Sequence, residues 1–333
     1  MTAPDPNARL FTRRRLGGQL GGVLLAVPAL MLSSGTGHAI DPRFRDADGD
    51  LIADTPTDPK EQIDPGTLIF AYTPVEDPEV YRKVWDDFIA HLTKETGRKV
   101  VFFPVQSNAA QIEAMRAGRL HIAGFNTGSV PLAVNCAGFA PFAMMASKKD
   151  EYGYEMEIIV QADGPIHKIE DLKGKTVAFT DPNSNSGFKA PSALLRAQYG
   201  LEAPRDFKAA FSGKHDNSIL GVANKDYDAA AVANAVRKRM VARSVLDGAK
   251  LRTIYTSQTF PTTGYGVAYN LKPELAAKIK QAFFSFKWEG TALAREYEKT
   301  EPPQEKFLPI SYKEKWAVVR DVDTAMGVSY ACK

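Results

Sequence analysis

From residue 67 onward the spacing of apolar and polar positions switches repeatedly between the strand period and the helix period. Thr67 to Tyr72 is a β-rich apolar run. Val80, Val84, Phe88 and Leu92, with Trp85 and Ile89 alongside, then recur at helical spacing until Gly97, and Asp77 followed by Pro78 supplies a cap and a first helical residue. A strand over 99–103, a helix over 109–117 and a strand over 120–125 come next. The order β-α-β-α-β predicts an open, mostly parallel α/β sheet, whose ligands would be met at the C-terminal ends of the strands.

Residues 156–160 alternate like a strand leaving this first lobe, and a second β-α-β pattern runs from Thr176 to about Tyr255. Gly264 to Tyr269 reads as a strand returning to the first lobe, completed by helices over 274–286 and 313–326. Two crossings, expected near 160–163 and 256–264, describe two α/β lobes joined by a two-segment hinge. Lobe 1 would hold residues 67–160 and 264–333, and lobe 2 residues 161–263.

Three loops leave strands and open helices, and each carries polar chemistry. Beyond Tyr72, the loop 73–78 offers Glu76, which either lines a cleft or caps a helix. In the loop 126–131, Thr127 and Ser129 are hydroxyl donors. The stretch Asp181-Pro182-Asn183-Ser184-Asn185-Ser186-Gly187-Phe188-Lys189-Ala190-Pro191 lies between an apolar strand at 176–179 and a helix from 190 to 199, with Asn185 or Ser186 as the N-cap. Free first-turn N–H groups, the positive end of the helix dipole and the donors of Ser184, Asn185 and Ser186 would then converge on a spot suited to a small oxyanion. An ordinary capped turn is the other reading of the same residues. His215, before a helix over 216–223, is either a donor to an anion, favoured in its protonated form, or a surface residue. Asp228 either accepts a hydrogen bond from a protonated ligand or forms a turn beside Asp226.

Composition narrows the function. The 333 residues carry a formal charge of +3, too balanced for a nucleic-acid binder and without a basic stripe interleaved with aromatics. Three arginines at 13–15 precede a Gly- and Ala-diluted apolar run over 19–32, and Gly37-His38-Ala39 offers small residues at a cleavage site. Residues 1–39 therefore read as a twin-arginine-type export signal, with an ordinary secretory signal as the alternative, and predict a periplasmic chain starting near Ile40. Residues 40–66 read as an acidic linker. Within it Asp46, Asp48, Asp50 and Asp54 alternate in a way that suits a structural calcium loop as well as a solvated segment; no other cofactor is required. Cys136 and Cys332 would pair in an oxidising compartment or stay as two buried thiols. No Gly-x-Ser-x-Gly elbow, Walker loop, Cys-x-x-Cys or His-rich cluster occurs, so an enzyme is not expected.

The "DPNSNSGFKAP" turn with its Leu172-Lys173-Gly174-Lys175 lead-in, and "SGKHDNSILGV" some thirty residues later, resemble the PhnD-like periplasmic phosphonate, phosphite and phosphate binding proteins of ABC importers, from about Leu68 to near the C-terminus. The resemblance implies a type II periplasmic binding protein fold. It also implies a phosphorus oxyanion held by Ser184, Asn185, Ser186 and His215, delivery to ABC permease transmembrane subunits, and action as a monomer. Asn126-Thr127-Gly128 departs from the aromatic-bearing sequence common in that family. Another small organic anion, such as a carboxylate, amino acid or sulfonate, is the alternative cargo. An aminoalkylphosphonate would further need a partner for its amine, for which Glu76, Asp228 and Tyr72 are the candidates.

Overall fold

A computed structural model of the protein describes residues 40–73, 75–81 and 83–332. The expected export signal, residues 1–39, lies outside them. Two sheets organise the chain. In the first lobe β1 (Thr67–Tyr72) lies parallel to β2 (Lys99–Phe102) and β3 (Ile122–Phe125). Of the other strands, β4 (Phe139–Ala146), β10 (Gly264–Ala268) and β11 (Lys306–Pro309) complete the order β11-β4-β10-β3-β1-β2 in antiparallel pairing. The second lobe holds β5 (Tyr154–Gln161), β6 (Thr176–Phe179), β7 (Lys208–Phe211), β8 (Ala229–Ala233) and β9 (Leu251–Phe260) in the order β7-β6-β8-β5-β9.

Central strands β3, β8 and β10 are buried along their whole length, which explains why they read as unbroken small or apolar runs rather than alternations. Packing in the first lobe centres on aromatic edges: Phe70, Trp85, Phe88, Tyr265, Phe283 and Phe307 form one cluster, with Phe88 and Phe283 rings 4.8 Å apart. Alanines in β8 instead keep the second core thin, around Ile159, Ile219, Val222 and Val232.

Three expectations shift. Residues 156–160 do not leave the first lobe: β5 pairs with β8 and β9 in the second sheet. The first crossover therefore lies between Ala146 and Tyr154, and the second at 261–263. Alternation identifies a strand but carries no information about which sheet will pair with it. The first long helix is split into Pro78–Tyr81 and Asp86–Thr96, with Tyr81, Val84 and Trp85 buried around the break. Asp77 still caps the first piece, accepting from the Glu79 N–H at 3.0 Å, and Gly97 ends the second with φ 68°.

The segment 40–66 touches the folded body at several points while many of its residues stay exposed. Ala53 is buried, Phe44 meets the Tyr269 ring edge at 4.9 Å, and Ile63 bridges Leu271. Carboxylates of Asp46, Asp48 and Asp50 come within 4.8 Å of one another. Asp54, expected to join them, instead accepts from the Ala47 N–H and faces Arg45. Cys136 and Cys332 form a disulfide, Cα atoms 5.3 Å apart, which ties the C-terminal tail to the helix Val130–Ala137. No described helix is long and apolar enough to cross a membrane.

Candidate ligand-binding cleft

Strand β6 runs into the turn 180–184, and Ser184 rather than Asn185 or Ser186 caps the helical segment beyond it: its Oγ accepts the Gly187 N–H at 3.0 Å. Asn185–Lys189 is a π-helical turn continuous with the helix Ala190–Tyr199. Ser184 can cap here because Gly187 nestles against the preceding strand, where a Cβ would stand 1.9 Å from Thr180 Oγ1. Among the described residues no backbone carbonyl takes the N–H groups of Asn185 and Ser186; the Tyr154 hydroxyl accepts from the Ser186 N–H, and the Asn185 nitrogen packs against Gly128.

This turn borders a cavity of about 70 Å³ between the lobes. Of the residues singled out from sequence, Tyr72, Thr127, Ser184, Asn185, Ser186 and His215 line it. The other three do not. Ser129 is buried behind the loop with its N–H on Asn126 Oδ1. Asp228 is exposed at the start of β8, accepting from the Thr176 N–H at 2.8 Å, and so sits at the end of the sheet away from the cleft. Glu76 is buried and bound by Tyr81, Arg239 and Arg243. Burial alone would raise its carboxyl, but the two guanidiniums overcome that and hold it below the usual carboxylate range.

His215 opens the helix His215–Ala223, and its Nδ1 accepts the Ala233 N–H at 3.1 Å. That bond leaves Nε2 to carry the proton of the neutral ring. Burial pushes its pKa down to about 4, Glu76 opposing only in part. In this structure the imidazole is therefore a neutral N–H donor. Tyr154, at the start of β5, also lines the cavity and takes the Asn185 amide N–H at 3.2 Å; burial raises its pKa.

Residues with no distinct signal in the sequence complete the wall: Arg239 from the helix Asn234–Ala242, Thr262 and Thr263 from the second crossover, and Tyr297 and Gln304. The signal for Arg239 is weak, since "VRKRM" reads as a solvated basic face. Its carbon Cζ lies 5.4 Å from the Tyr297 ring centre, and Nε and Nη2 reach Glu76. Among the described residues Nη1 makes no hydrogen bond. Burial opposes the charge, yet Glu76 and the neighbouring tyrosines keep its pKa above the ordinary value.

The lobes also touch directly across the cleft. Lys189 Nζ meets Asp323 Oδ1 at 2.6 Å and donates to the Gly128 carbonyl at 2.8 Å. Glu76 and Glu296 of the first lobe face Arg239 and Arg243 of the second. Gly128 lies so close to the opposite turn that a Cβ would be 2.2 Å from the Asn183 carbonyl.

Two α/β lobes, crossed twice by the chain with a cavity between them, define a type II periplasmic binding protein. Residues 70–310 match the family model of ABC transporter, phosphonate, periplasmic substrate-binding proteins, and the chain belongs to that family. It is 33% identical over 231 residues, 66% of this chain and 71% of the relative, to the phosphate-import protein PhnD of Mycolicibacterium smegmatis. It is 28% identical over 223 residues, 66% of each chain, to the phosphonates-binding periplasmic protein of Escherichia coli. In fold it is similar to PhnD1 from Prochlorococcus marinus in complex with methylphosphonate, with TM-score 0.70, 18% identity and coverage of 80% of this chain and 100% of that one. A binding protein component of an ABC phosphonate transporter from Pseudomonas aeruginosa superposes with TM-score 0.71 at 22% identity, over 80% and 88% of the two chains. The family consists of substrate-binding transport proteins rather than enzymes.

Proposed function

We propose that the cleft takes up a small phosphorus oxyanion, a phosphonate, phosphite or phosphate, and presents it to the transmembrane permease subunits of an ABC importer. The observation that carries this reading is convergence: Ser184, Asn185 and Ser186 at a helix start, His215 with its Nδ1 taken by the Ala233 N–H, and Arg239 all line one cavity of about 70 Å³. A cavity well above the roughly 10–15 Å³ needed to hold one water suits a small anion. Neutral donors and a helix N-terminus compensate a desolvated anion without a proton exchange.

Closure follows from differential binding. Ser184, Asn185, Ser186, His215 and Arg239 belong to the second lobe and Tyr72 and Thr127 to the first, so a ligand touching both stabilises the shut form over the open one. A permease would recognise that shut form, and a monomer suffices. Export through the twin-arginine signal at 1–39, placing the mature chain in the periplasm, belongs to the same proposal.

Arg239 keeps a second cargo in view, because a guanidinium also suits a carboxylate or sulfonate. Calorimetric titration of the purified, phosphate-free protein with phosphite, phosphate, methylphosphonate, sulfate and acetate separates the two. Tight binding of a phosphorus ligand that is lost in Ser186→Ala supports the first reading; binding of only sulfate or acetate would replace it with the second.

A further inference from the structure

The cavity has a distinctive charge inventory. A ligand larger than a bare tetrahedral anion must fit its second group among the same lining residues, which include Arg239, Tyr297, Tyr72 and Gln304. An ammonium held in the cavity would need a carboxylate in the lining to pair with, and none of the described lining residues is one. Glu76 Oε2 accepts from Tyr81 and Arg239, and Oε1 from Arg243. Glu296 is turned to Arg243 at 3.2 Å. Asp228 lies at the far end of its strand. The Tyr297 ring already carries the Arg239 guanidinium, and the Tyr297 hydroxyl donates to the Tyr72 hydroxyl at 2.8 Å. Among the described residues lining the cavity, Arg239 is the one formally charged side chain, since His215 is held neutral.

Resting on the phosphorus reading above, we propose that Arg239 is a specificity-determining residue that restricts the cleft to anions without a cationic tail and rejects aminoalkylphosphonates. An ammonium enclosed beside that guanidinium would lose its water, gain no counter-ion and face a like charge. A methyl, hydrogen or hydroxyl substituent on phosphorus meets no such penalty.

Ethylphosphonate and aminomethylphosphonate have the same number of heavy atoms and differ in the cationic group, so their affinities, measured by calorimetry on the purified protein, isolate this effect from size. The expected result is at least tenfold tighter binding of ethylphosphonate. The gap should persist in Arg239→Lys, which keeps the charge. It should shrink or invert in Arg239→Gln, which also frees a Glu76 oxygen; loss of packing alone would weaken both ligands alike. Equal or tighter binding of aminomethylphosphonate by the unmodified protein would overturn the proposal while leaving the phosphorus reading intact. Failure of phosphate, methylphosphonate and both test ligands to bind would overturn the two together.

Discussion

Lys189, five residues past the capping Ser184, reaches across the cleft to Asp323 in the other lobe, and the two side chains are only 4% and 0% exposed. Burial pushes the Lys189 ammonium down from its ordinary pKa, with Asp323 opposing. An ion pair this buried needs both members: removing one leaves the other charged, desolvated and unmatched.

Asp323→Asn should therefore destabilise the closed form by about 3 kcal/mol, while an opened cleft would return Lys189 to water. Ligand affinity, read by calorimetry, is expected to fall by two orders of magnitude or more, with a smaller change in the melting temperature of the unliganded protein. The double variant Lys189→Met, Asp323→Leu should regain much of the affinity. An unchanged affinity in the single variant would show that the pair does not govern closure.

Gly128→Ala tests the same contact from the backbone side. The added Cβ would press on the Asn183 carbonyl and, at 2.4 Å, on the Asn185 amide nitrogen. Ten- to hundredfold weaker binding is expected, together with a ligand-saturated protein whose radius of gyration by small-angle scattering stays larger than the parent's. Affinity equal to the parent's would mean that the lobes can shut without this approach.

His215 gives the cleft a pH dependence. Its folded pKa, about 4, lies below the ordinary histidine value of 6.5, so between those values the unfolded chain binds the proton and the folded chain does not. Stability should be at its full value above pH 6.5 and fall as the pH drops toward 4, by at most about 3 kcal/mol from this group. Denaturant melts of the parent and of His215→Gln over pH 4–7 check this. The variant is expected to lose that part of the slope, and parallel curves would contradict a buried neutral imidazole.

Ser184→Ala and Asp228→Asn form a contrasting pair. Loss of the Ser184 cap on the Gly187 N–H should cost about 1 kcal/mol of stability and weaken ligand binding. Asp228→Asn, at the opposite end of the sheet, should leave affinity unchanged within twofold. A loss of binding in Asp228→Asn would place the ligand elsewhere than the cavity described.

Legibility of the site followed the range of the interactions involved. Ser184, Asn185 and Ser186 could be placed at a helix start because a strand, a polar turn and a helix start are local events with local sequence signals, whereas the ligand role of these residues and of His215 came from the family resemblance. Glu76 was visible as an acid near a helix start, but its occupation by Arg239 and Arg243 depends on a partner more than 150 residues away. Arg239 itself was hidden in a basic run whose neighbours Lys238 and Arg243 are more exposed.

By itself the sequence determined the alternation of strands and helices, the two-lobed α/β class and the hydroxyl-rich turn at one helix start, because each rests on periodicity and capping within about ten residues. Only the tertiary structure decided which sheet receives β5, the closure of the cysteines, the neutral state of His215 and the charge that borders the cavity. Those properties arise from burial and from pairing between distant segments, and neither leaves a trace in the order of residues around any one of them.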